Sequence, residues 1–253
     1  MLTTRRFGSG APLVALHGFT HTGEQFASLA DALGREVIAP DLPGHGDSSL
    51  ASTARDDVIA SLAELIESIP GHVPVLGYSQ GARLALVLAT QTRSITGQLI
   101  LVSGTAGVEG AEARRQRAAW DLATGREIIE IGIEAFIDDW TSDGMTSTTG
   151  LPAALRLADR EERLANTAEG LASALAGYGQ GALPNVWHLL PSIAVPVLIV
   201  TGSLDATYTH TGARMTEAIG ANAAHCVIEG AGHGPLLDSP VKTIRSIQEF
   251  LVS

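Results

Sequence analysis

The segment Val75-Leu-Gly-Tyr-Ser-Gln-Gly-Ala-Arg83 decides the fold class of this 253-residue chain. An apolar run breaks at Gly77-Tyr-Ser-Gln-Gly81 and then becomes rich in Ala and Leu, so the pattern predicts a strand, a sharp turn and a helix. Glycines two residues before and after Ser79 are expected where side chains would clash in so tight a turn. The segment therefore predicts a nucleophile elbow, with Ser79 exposed at the head of a helix.

The rest of the chain alternates between two patterns. Short apolar runs bounded by turn residues alternate with longer helical patterns, which is typical of a mostly parallel sheet flanked by helices. We predict strands over Pro12 to His17, Glu36 to Asp41, Val73 to Tyr78, Gln98 to Val102, Val195 to Thr201 and His225 to Glu229. We predict helices over Glu24 to Leu33, Ala54 to Ile69, Gly81 to Thr92, Thr211 to Ile219 and Val241 to Leu251. The fold class is α/β.

The alternation breaks once. From about Gly110 to Leu183 no strand pattern occurs, and Ala, Leu, Arg and Glu recur at helical spacing. A helical block inserted between two strands is expected to lie above the strand ends as a lid. We therefore predict an α/β core formed by residues 1–109 and 184–253, with residues 110–183 as a helical lid insertion.

Composition excludes several classes of function. A formal charge of -11 and a pI near 5.1 disfavour a nucleic-acid partner. Cys226, the single cysteine, has no partner for an internal disulfide, and no Cys or His spacing suggests a metal site. Glycines and a proline interrupt the sequence after Arg5 and Arg6, so neither a signal peptide nor a membrane span is expected. We expect a cytoplasmic monomer or small homo-oligomer.

Two residues downstream complete a candidate catalytic triad with Ser79. Serine needs a histidine to take its proton, and the histidine needs an acid to hold its tautomer. Asp205 ends the strand-like run from Val197, and His233 follows the next strand. Each has a structural alternative, since such an Asp often caps a helix and such a His often lies in a loop. The order Ser, Asp, His is the order of the α/β-hydrolase fold, and we predict a triad.

A second motif predicts an oxyanion hole. Leu16-His-Gly-Phe-Thr20 follows the first strong strand pattern. The backbone N–H groups of Phe19 and Gln80 can point at developing negative charge in this fold. We expect His17 to support the loop by hydrogen bonding.

Three arginines have functional and structural interpretations. Arg83 lies one helical turn after Ser79 and is expected near the mouth of the site. Arg117 can pair with Asp121 four residues later, and Arg163 can lie on a solvated face. Spacing alone favours the structural interpretations of Arg117 and Arg163.

Several segments together resemble one family. They are the HGFT, DLPGHGDS, GYSQGAR and EARRQR segments, Phe136 to Trp140, Arg163 to Gly170 and Gly179 to Trp187. Through these segments the chain resembles the 2-succinyl-6-hydroxy-2,4-cyclohexadiene-1-carboxylate synthases of menaquinone biosynthesis, which are a branch of the α/β-hydrolase superfamily. The resemblance spans nearly the whole chain. The resemblance implies a lyase that expels pyruvate from a small anionic substrate with three carboxylates, and needs no cofactor and no metal. It implies the triad Ser79, Asp205 and His233, and a substrate pocket lined by Tyr78, Arg83, Arg117, Trp140 and Arg163.

The chain also departs from the family pattern. Thr207 and Ala176 stand where relatives carry cations, and both changes remove positive charge near the predicted lid. Two other functions remain open at this point. One is a serine hydrolase, either a carboxylesterase or a carbon–carbon bond hydrolase, that acts through a covalent Ser79 intermediate. The other is a hydrolase-fold protein that binds a small ligand without turning it over, although such a protein has no need of His233.

Overall fold

A seven-stranded sheet forms the centre of the molecule, which we describe from a computed structural model covering residues 2–92, 94–95, 97–142 and 144–252. The strands are β1 (Thr4–Phe7), β2 (Pro12–Leu16), β3 (Glu36–Pro40), β4 (Val75–Tyr78), β5 (Leu99–Val102), β6 (Val197–Gly202) and β7 (Ala223–Ile228). Their order is β1-β3-β2-β4-β5-β6-β7, and β1 pairs antiparallel with β3 while the other pairs are parallel. The six predicted strands are present, and β1 is an additional strand.

Helices flank this sheet. They are α1 (Ala27–Leu33), α2 (Arg55–Glu67), α3 (Gln80–Gln91), α4 (Ala111–Ile131), α5 (Ile133–Trp140), α6 (Ala153–Arg163), α7 (Ala168–Tyr178), α8 (Ala206–Ile219), α9 (Pro235–Asp238) and α10 (Pro240–Leu251). Short 3-10 helices cover Gly23–Phe26, Gly46–Ser48, Gly144–Thr146 and Trp187–Ser192. Helix α8 starts five residues before its predicted start, because the Asp205 carboxylate accepts the Tyr208 N–H and caps it.

Both faces of the sheet are buried, as parallel strands require. Along β2, Leu13 and Ala15 belong to one apolar cluster, while Val14 and Leu16 belong to another. Successive side chains point to opposite faces, so the two clusters lie on either side of the sheet. This burial explains why the central strands are continuous apolar runs in the sequence.

The described residues of the segment predicted to be a lid form helices joined by turns and loops. Helices α4 to α7 lie between β5 and β6 in the chain, and no strand occurs among their described residues. Ile128, Phe136 and Leu171 lie in an apolar cluster that is separate from the two beside the sheet. The predicted domain boundaries at residues 110 and 183 remain a prediction. Among the described helices, none combines the length and apolarity needed to cross a bilayer.

Candidate active site

The strand-to-helix turn after β4 has the geometry predicted for a nucleophile elbow. Ser79 has a φ angle of 50°, an uncommon value for a residue with a side chain, and α3 begins at the next residue. A Cβ atom on Gly77 would lie 2.5 Å from the Gly81 carbonyl oxygen. A Cβ atom on Gly81 would collide with the Leu16 carbonyl oxygen. Glycines are therefore required on both sides of the serine, for the steric reason inferred from the sequence.

The structure places Ser79, His233 and Asp205 in one hydrogen-bonded chain. The Ser79 hydroxyl lies 3.0 Å from Nε2 of His233, and Nδ1 of His233 lies 2.8 Å from an Asp205 carboxylate oxygen. An ionised carboxylate only accepts hydrogen bonds, so Nδ1 carries the proton and Nε2 is free to accept the serine proton. His233 and Asp205 are both buried. The Tyr208 ring packs edge-on against His233 with ring centroids 4.5 Å apart.

The two backbone donors predicted for an oxyanion hole lie on connected segments. Gln80 is the first residue of α3, and an N–H at that position has no acceptor within its helix. The Gly81 N–H donates to the His17 carbonyl at 3.0 Å, which joins the start of α3 to the loop that carries Phe19. His17 itself supports this loop, because its ring accepts the Leu42 N–H at 2.9 Å.

A cavity of about 680 Å³ opens beside the triad. Ser79, Asp205 and His233 lie on its wall together with Tyr78 and Phe19. Trp140 and Arg163 also lie on the wall, and both belong to the segment predicted to be a lid, which supplies further residues of the wall. Burial raises the pKa of the Tyr78 phenol, which keeps it neutral. The substrate-binding roles of these side chains remain predictions.

Arg163 is buried, so the interpretation that it lies on a solvated face is wrong. Its Nε and Nη2 atoms donate to both carboxylate oxygens of Asp159, at 2.7 and 3.1 Å, and Nη1 donates to the Thr20 hydroxyl. Burial acts to raise the pKa of Asp159, but hydrogen bonds from His21 and Arg163 outweigh it and hold that pKa well below its usual range. A guanidinium has five N–H donors, so Arg163 retains donors for a ligand.

Arg83 and Arg117 lie outside the described wall of this cavity. Arg83 is 8% exposed and belongs to a stretch of α3, from Gln80 to Leu88, in which every residue is buried, so its expected position near the mouth stays a prediction. Its Nε atom has no hydrogen-bond partner among the described residues. Arg117 forms the alternative predicted from its spacing, since its Nε donates to Asp121 at 2.8 Å. Substrate binding by Arg83 or Arg117 stays a prediction.

One group of potential metal ligands occurs in the part of the chain that the structure describes. Ligand atoms of His21, Asp159 and Glu162 lie within 4.8 Å of one another. No spacing pattern in the sequence indicates this group, because His21 is far from the other two residues along the chain. Arg163 already neutralises Asp159, and Glu162 accepts the N–H and hydroxyl of Thr22. These hydrogen bonds account for the carboxylates without an ion.

Further residues line the site although no sequence motif predicts them. Asp238 lies on the cavity wall, accepts the Gly232 N–H at 2.8 Å, and has its pKa raised by burial. The hydroxyl-bearing residues Thr146, Ser147 and Thr148 also line the cavity. No motif occurs at these positions. In the sequence, the segment from Thr141 to Gly150 is recognisable only as a break between two helical patterns.

The chain is similar over most of its length to several known proteins. A model described as "Alpha/beta hydrolase family" matches residues 13–246. A Bacillus subtilis (strain 168) protein, provisionally named 2-succinyl-6-hydroxy-2,4-cyclohexadiene-1-carboxylate synthase, is 30% identical over 95% of this chain and 90% of its own length. The synthase of that name from Salmonella paratyphi C (strain RKS4594) is 28% identical over 96% of this chain and 94% of its own.

The chain is also similar to part of a much larger plant protein and to a solved bacterial structure. Protein PHYLLO of Arabidopsis thaliana is 30% identical over 96% of this chain, which spans only 15% of the plant protein. The structure of MenH from S. aureus superposes with a TM-score of 0.93 at 28% identity, covering 98% of this chain and 97% of that one. The chain is therefore an enzyme of the α/β-hydrolase family and, within that family, belongs to the 2-succinyl-6-hydroxy-2,4-cyclohexadiene-1-carboxylate synthase group.

Proposed function

We propose that this enzyme is a carbon–oxygen lyase of menaquinone biosynthesis. It eliminates pyruvate from 2-succinyl-5-enolpyruvyl-6-hydroxy-3-cyclohexene-1-carboxylate. The observation that carries the proposal is the unbroken hydrogen-bonded chain from Ser79 through His233 to Asp205, which ends at the cavity wall. Relatives with the synthase name that align over nearly the whole chain support the same substrate.

In this reaction Ser79 acts as a base. His233 takes the serine proton, and Ser79 removes the acidic C–H proton next to the succinyl ketone. The electron pair of that C–H bond moves to the ketone oxygen, which the N–H groups of Phe19 and Gln80 stabilise. When the ketone re-forms, the electrons shift through the ring double bond and break the bond to the enolpyruvyl oxygen. The proton returns to the released enolpyruvate, which becomes pyruvate, and the ring becomes a conjugated diene.

The substrate is a tricarboxylate, and the site contains cations that suit it. Arg163 lies on the cavity wall with donors to spare beyond Asp159 and Thr20. Arg83 lies outside the described wall but forms no ion pair among the described residues, and Asp121, the carboxylate that acts on its charge, is already hydrogen-bonded to Arg117. Burial lowers the pKa of Arg83, but a guanidinium stays protonated at neutral pH. In a dry interior such a charge acts strongly on an anion close by.

A pyruvate-release assay tests the proposal. Purified enzyme is added to the enolpyruvyl substrate, generated in situ by the preceding pathway enzyme, and pyruvate is followed with lactate dehydrogenase. We expect release well above the spontaneous rate for the wild type and none above it for Ser79→Ala. Release by the wild type at the spontaneous rate would contradict the proposal.

The same triad geometry also suits a serine hydrolase, and this is the second candidate. A hydrolase would turn over short-chain nitrophenyl esters rapidly and would be inactivated by serine-directed phosphonates. We expect its activity on neutral esters to be independent of Arg83. Comparing kcat/KM for pyruvate release and for ester hydrolysis in one preparation therefore distinguishes the two functions.

A further inference from the structure

One face at the end of α6 contacts the loop that carries Phe19. Four residues make these contacts, three on the last turns of α6 and one three residues after its end, and together they are here called the clamp face. They are Asp159, Glu162, Arg163 and Asn166. Each hydrogen-bonds to one of the three residues that follow Phe19. The helical block is thereby fastened to the predicted oxyanion hole.

Thr20 is the residue of this loop that most needs support. Its φ angle is 71°, in the left-handed region, which is rare and costly for a β-branched residue. Such a conformation persists only when surrounding groups impose it. Asn166 Nδ2 donates to the Thr20 carbonyl at 2.6 Å, and Arg163 Nη1 donates to the Thr20 hydroxyl. The clamp face therefore binds both the backbone carbonyl and the side-chain hydroxyl of Thr20.

The next two residues of the loop are held in the same way. His21 Nε2 lies 3.1 Å from the Asp159 carboxylate. Glu162 accepts the Thr22 N–H at 2.6 Å and the Thr22 hydroxyl at 3.0 Å. Because His21 and Thr22 are also held, the loss of a single contact to Thr20 would shift the loop only slightly.

The side chain of Asn166 is fixed on all sides. Its Nδ2 also donates to the Arg163 carbonyl at 2.9 Å, and its Oδ1 accepts the Gly46 N–H at 2.9 Å. Asn166 is buried, and it is not among the described residues of the cavity wall. It therefore acts on the cavity through the residues that it holds, and of these Thr20 is the one next to Phe19.

Thr20 in turn determines the backbone of Phe19. The His21 N–H donates to the Gly18 carbonyl at 3.2 Å, so these residues form a β-turn with Phe19 and Thr20 at its centre. A positive φ at the third turn position is the mark of the type II class. If Thr20 relaxed to a negative φ, the peptide between Phe19 and Thr20 would rotate and redirect the Phe19 carbonyl and the Thr20 N–H. The Phe19 N–H belongs to the preceding peptide, so its position depends on where the turn as a whole is held.

We infer that Asn166 is a positioning residue that anchors the Gly18-to-His21 turn through Thr20 and so holds the Phe19 N–H in place at the oxyanion hole. The inference rests on the proposed function only in assuming that the reaction forms an oxyanion, which this hole would bind. An enolate and a tetrahedral intermediate would both use it.

The variant Asn166→Asp tests the inference, because it removes the donor to Thr20 and keeps an acceptor for Gly46. Asn166→Ser is the second variant, since it shortens the side chain without adding charge. We expect kcat for pyruvate release to fall about 10- to 100-fold in both, up to the loss caused by removing one oxyanion donor, with KM changed less than about twofold. Glu161→Ala, an exposed change on the same helix, should match the wild type.

A second measurement separates this role from a merely structural one. Phenylboronic acid forms a tetrahedral anion on an activated serine, so its affinity reports on the oxyanion hole. We expect its Kd to rise in both Asn166 variants by a factor similar to the fall in kcat. If the wild type releases no pyruvate, the proposed function fails, and the boronate series still decides this inference. Unchanged boronate affinity, or an effect confined to KM or to thermal stability, would overturn it.

Discussion

The side chain of Arg83 is buried in the protein interior although its backbone N–H bonds to the Ser79 carbonyl at 3.2 Å, one helical turn from the nucleophile. Its Nε atom has no hydrogen-bond partner in the part of the chain that the structure describes. An unpaired interior charge lowers stability, so we expect a functional reason for its presence. The proposed substrate, with its three carboxylates, supplies that reason.

Replacing Arg83 with methionine should separate activity from stability. In Arg83→Met the side chain keeps much of its volume and loses its charge. We expect kcat/KM for pyruvate release to fall by about 30- to 1000-fold, equivalent to about 2 to 4 kcal/mol of transition-state stabilisation. The free energy of unfolding should rise by about 1 kcal/mol, because an unpaired buried charge is removed.

The matched control for this experiment is Arg126→Met on the exposed surface of α4. Arg126→Met should leave both kcat/KM for pyruvate release and the free energy of unfolding unchanged. If Arg83→Met retained wild-type pyruvate release, Arg83 would have no role toward an anionic substrate. Equal losses of lyase and neutral-ester activity would point to a damaged fold instead.

Asp205→Asn tests the tautomer argument for the triad. The amide of asparagine donates to Nδ1 of His233, which moves the ring proton to Nε2 and leaves no acceptor for the serine proton. We expect kcat to fall by about 10⁴-fold while the fold is retained. Steady-state kinetics measures kcat, and circular dichroism measures whether the fold is retained. A fall in kcat of less than tenfold would argue against His233 as the base that takes the Ser79 proton.

The elbow glycines should be intolerant of even one methyl group. A Cβ atom at Gly81 would collide with the Leu16 carbonyl, a backbone atom that cannot move away. We expect Gly81→Ala to lower the free energy of unfolding by more than about 3 kcal/mol, or to prevent folding. Gly150→Ala, where no heavy atom lies within 4 Å, is the control and should change stability little. Urea titration of the two variants checks this, and equal stability would contradict the steric account.

Two buried histidines should make the protein sensitive to acid. Burial lowers the pKa of His45 from 6.5 to about 4, and burial lowers the pKa of His17 in the same direction. Between about pH 6.5 and 4 the unfolded chain binds a proton at His45 that the native state does not bind. Stability from the neutral ring is therefore complete above about pH 6.5 and is lost as the pH falls.

The size of this effect can be measured by difference. At 1.36 kcal/mol for each pKa unit, a shift from 6.5 to about 4 corresponds to about 3 kcal/mol. We expect the free energy of unfolding of the wild type to fall more steeply over this pH range than that of His45→Gln. Parallel slopes for the two proteins in urea titrations would show that His45 is not buried in its neutral form.

Local sequence predicted the elements that depend on local chemistry. The elbow at Ser79, the acid and histidine at the ends of β6 and β7, and six strands follow from apolar runs and from glycines that the turn requires. Strand β1 was missed because Arg5 and Arg6 interrupt it. It lies at the edge of the sheet, where partial exposure permits charged side chains.

Long-range contacts could not be predicted in this way. Helical spacing correctly paired Arg117 with Asp121, but it gave no sign that Arg163 is buried or that it reaches Thr20, 143 residues away in sequence. The clamp face likewise exists only because α6 packs on the loop after β2. Its i, i+3, i+4 and i+7 pattern is polar, and such a pattern in sequence predicts a solvated surface.

The central claim is that Ser79 works as a base and forms no covalent bond to the substrate. Rapid-quench mass spectrometry of the intact enzyme during turnover tests it most directly, with pyruvate measured in the same samples. We predict that pyruvate accumulates over many turnovers while the mass of the protein stays unchanged. A protein population carrying the mass of an acyl group on Ser79, formed and lost at the rate of turnover, would contradict the account.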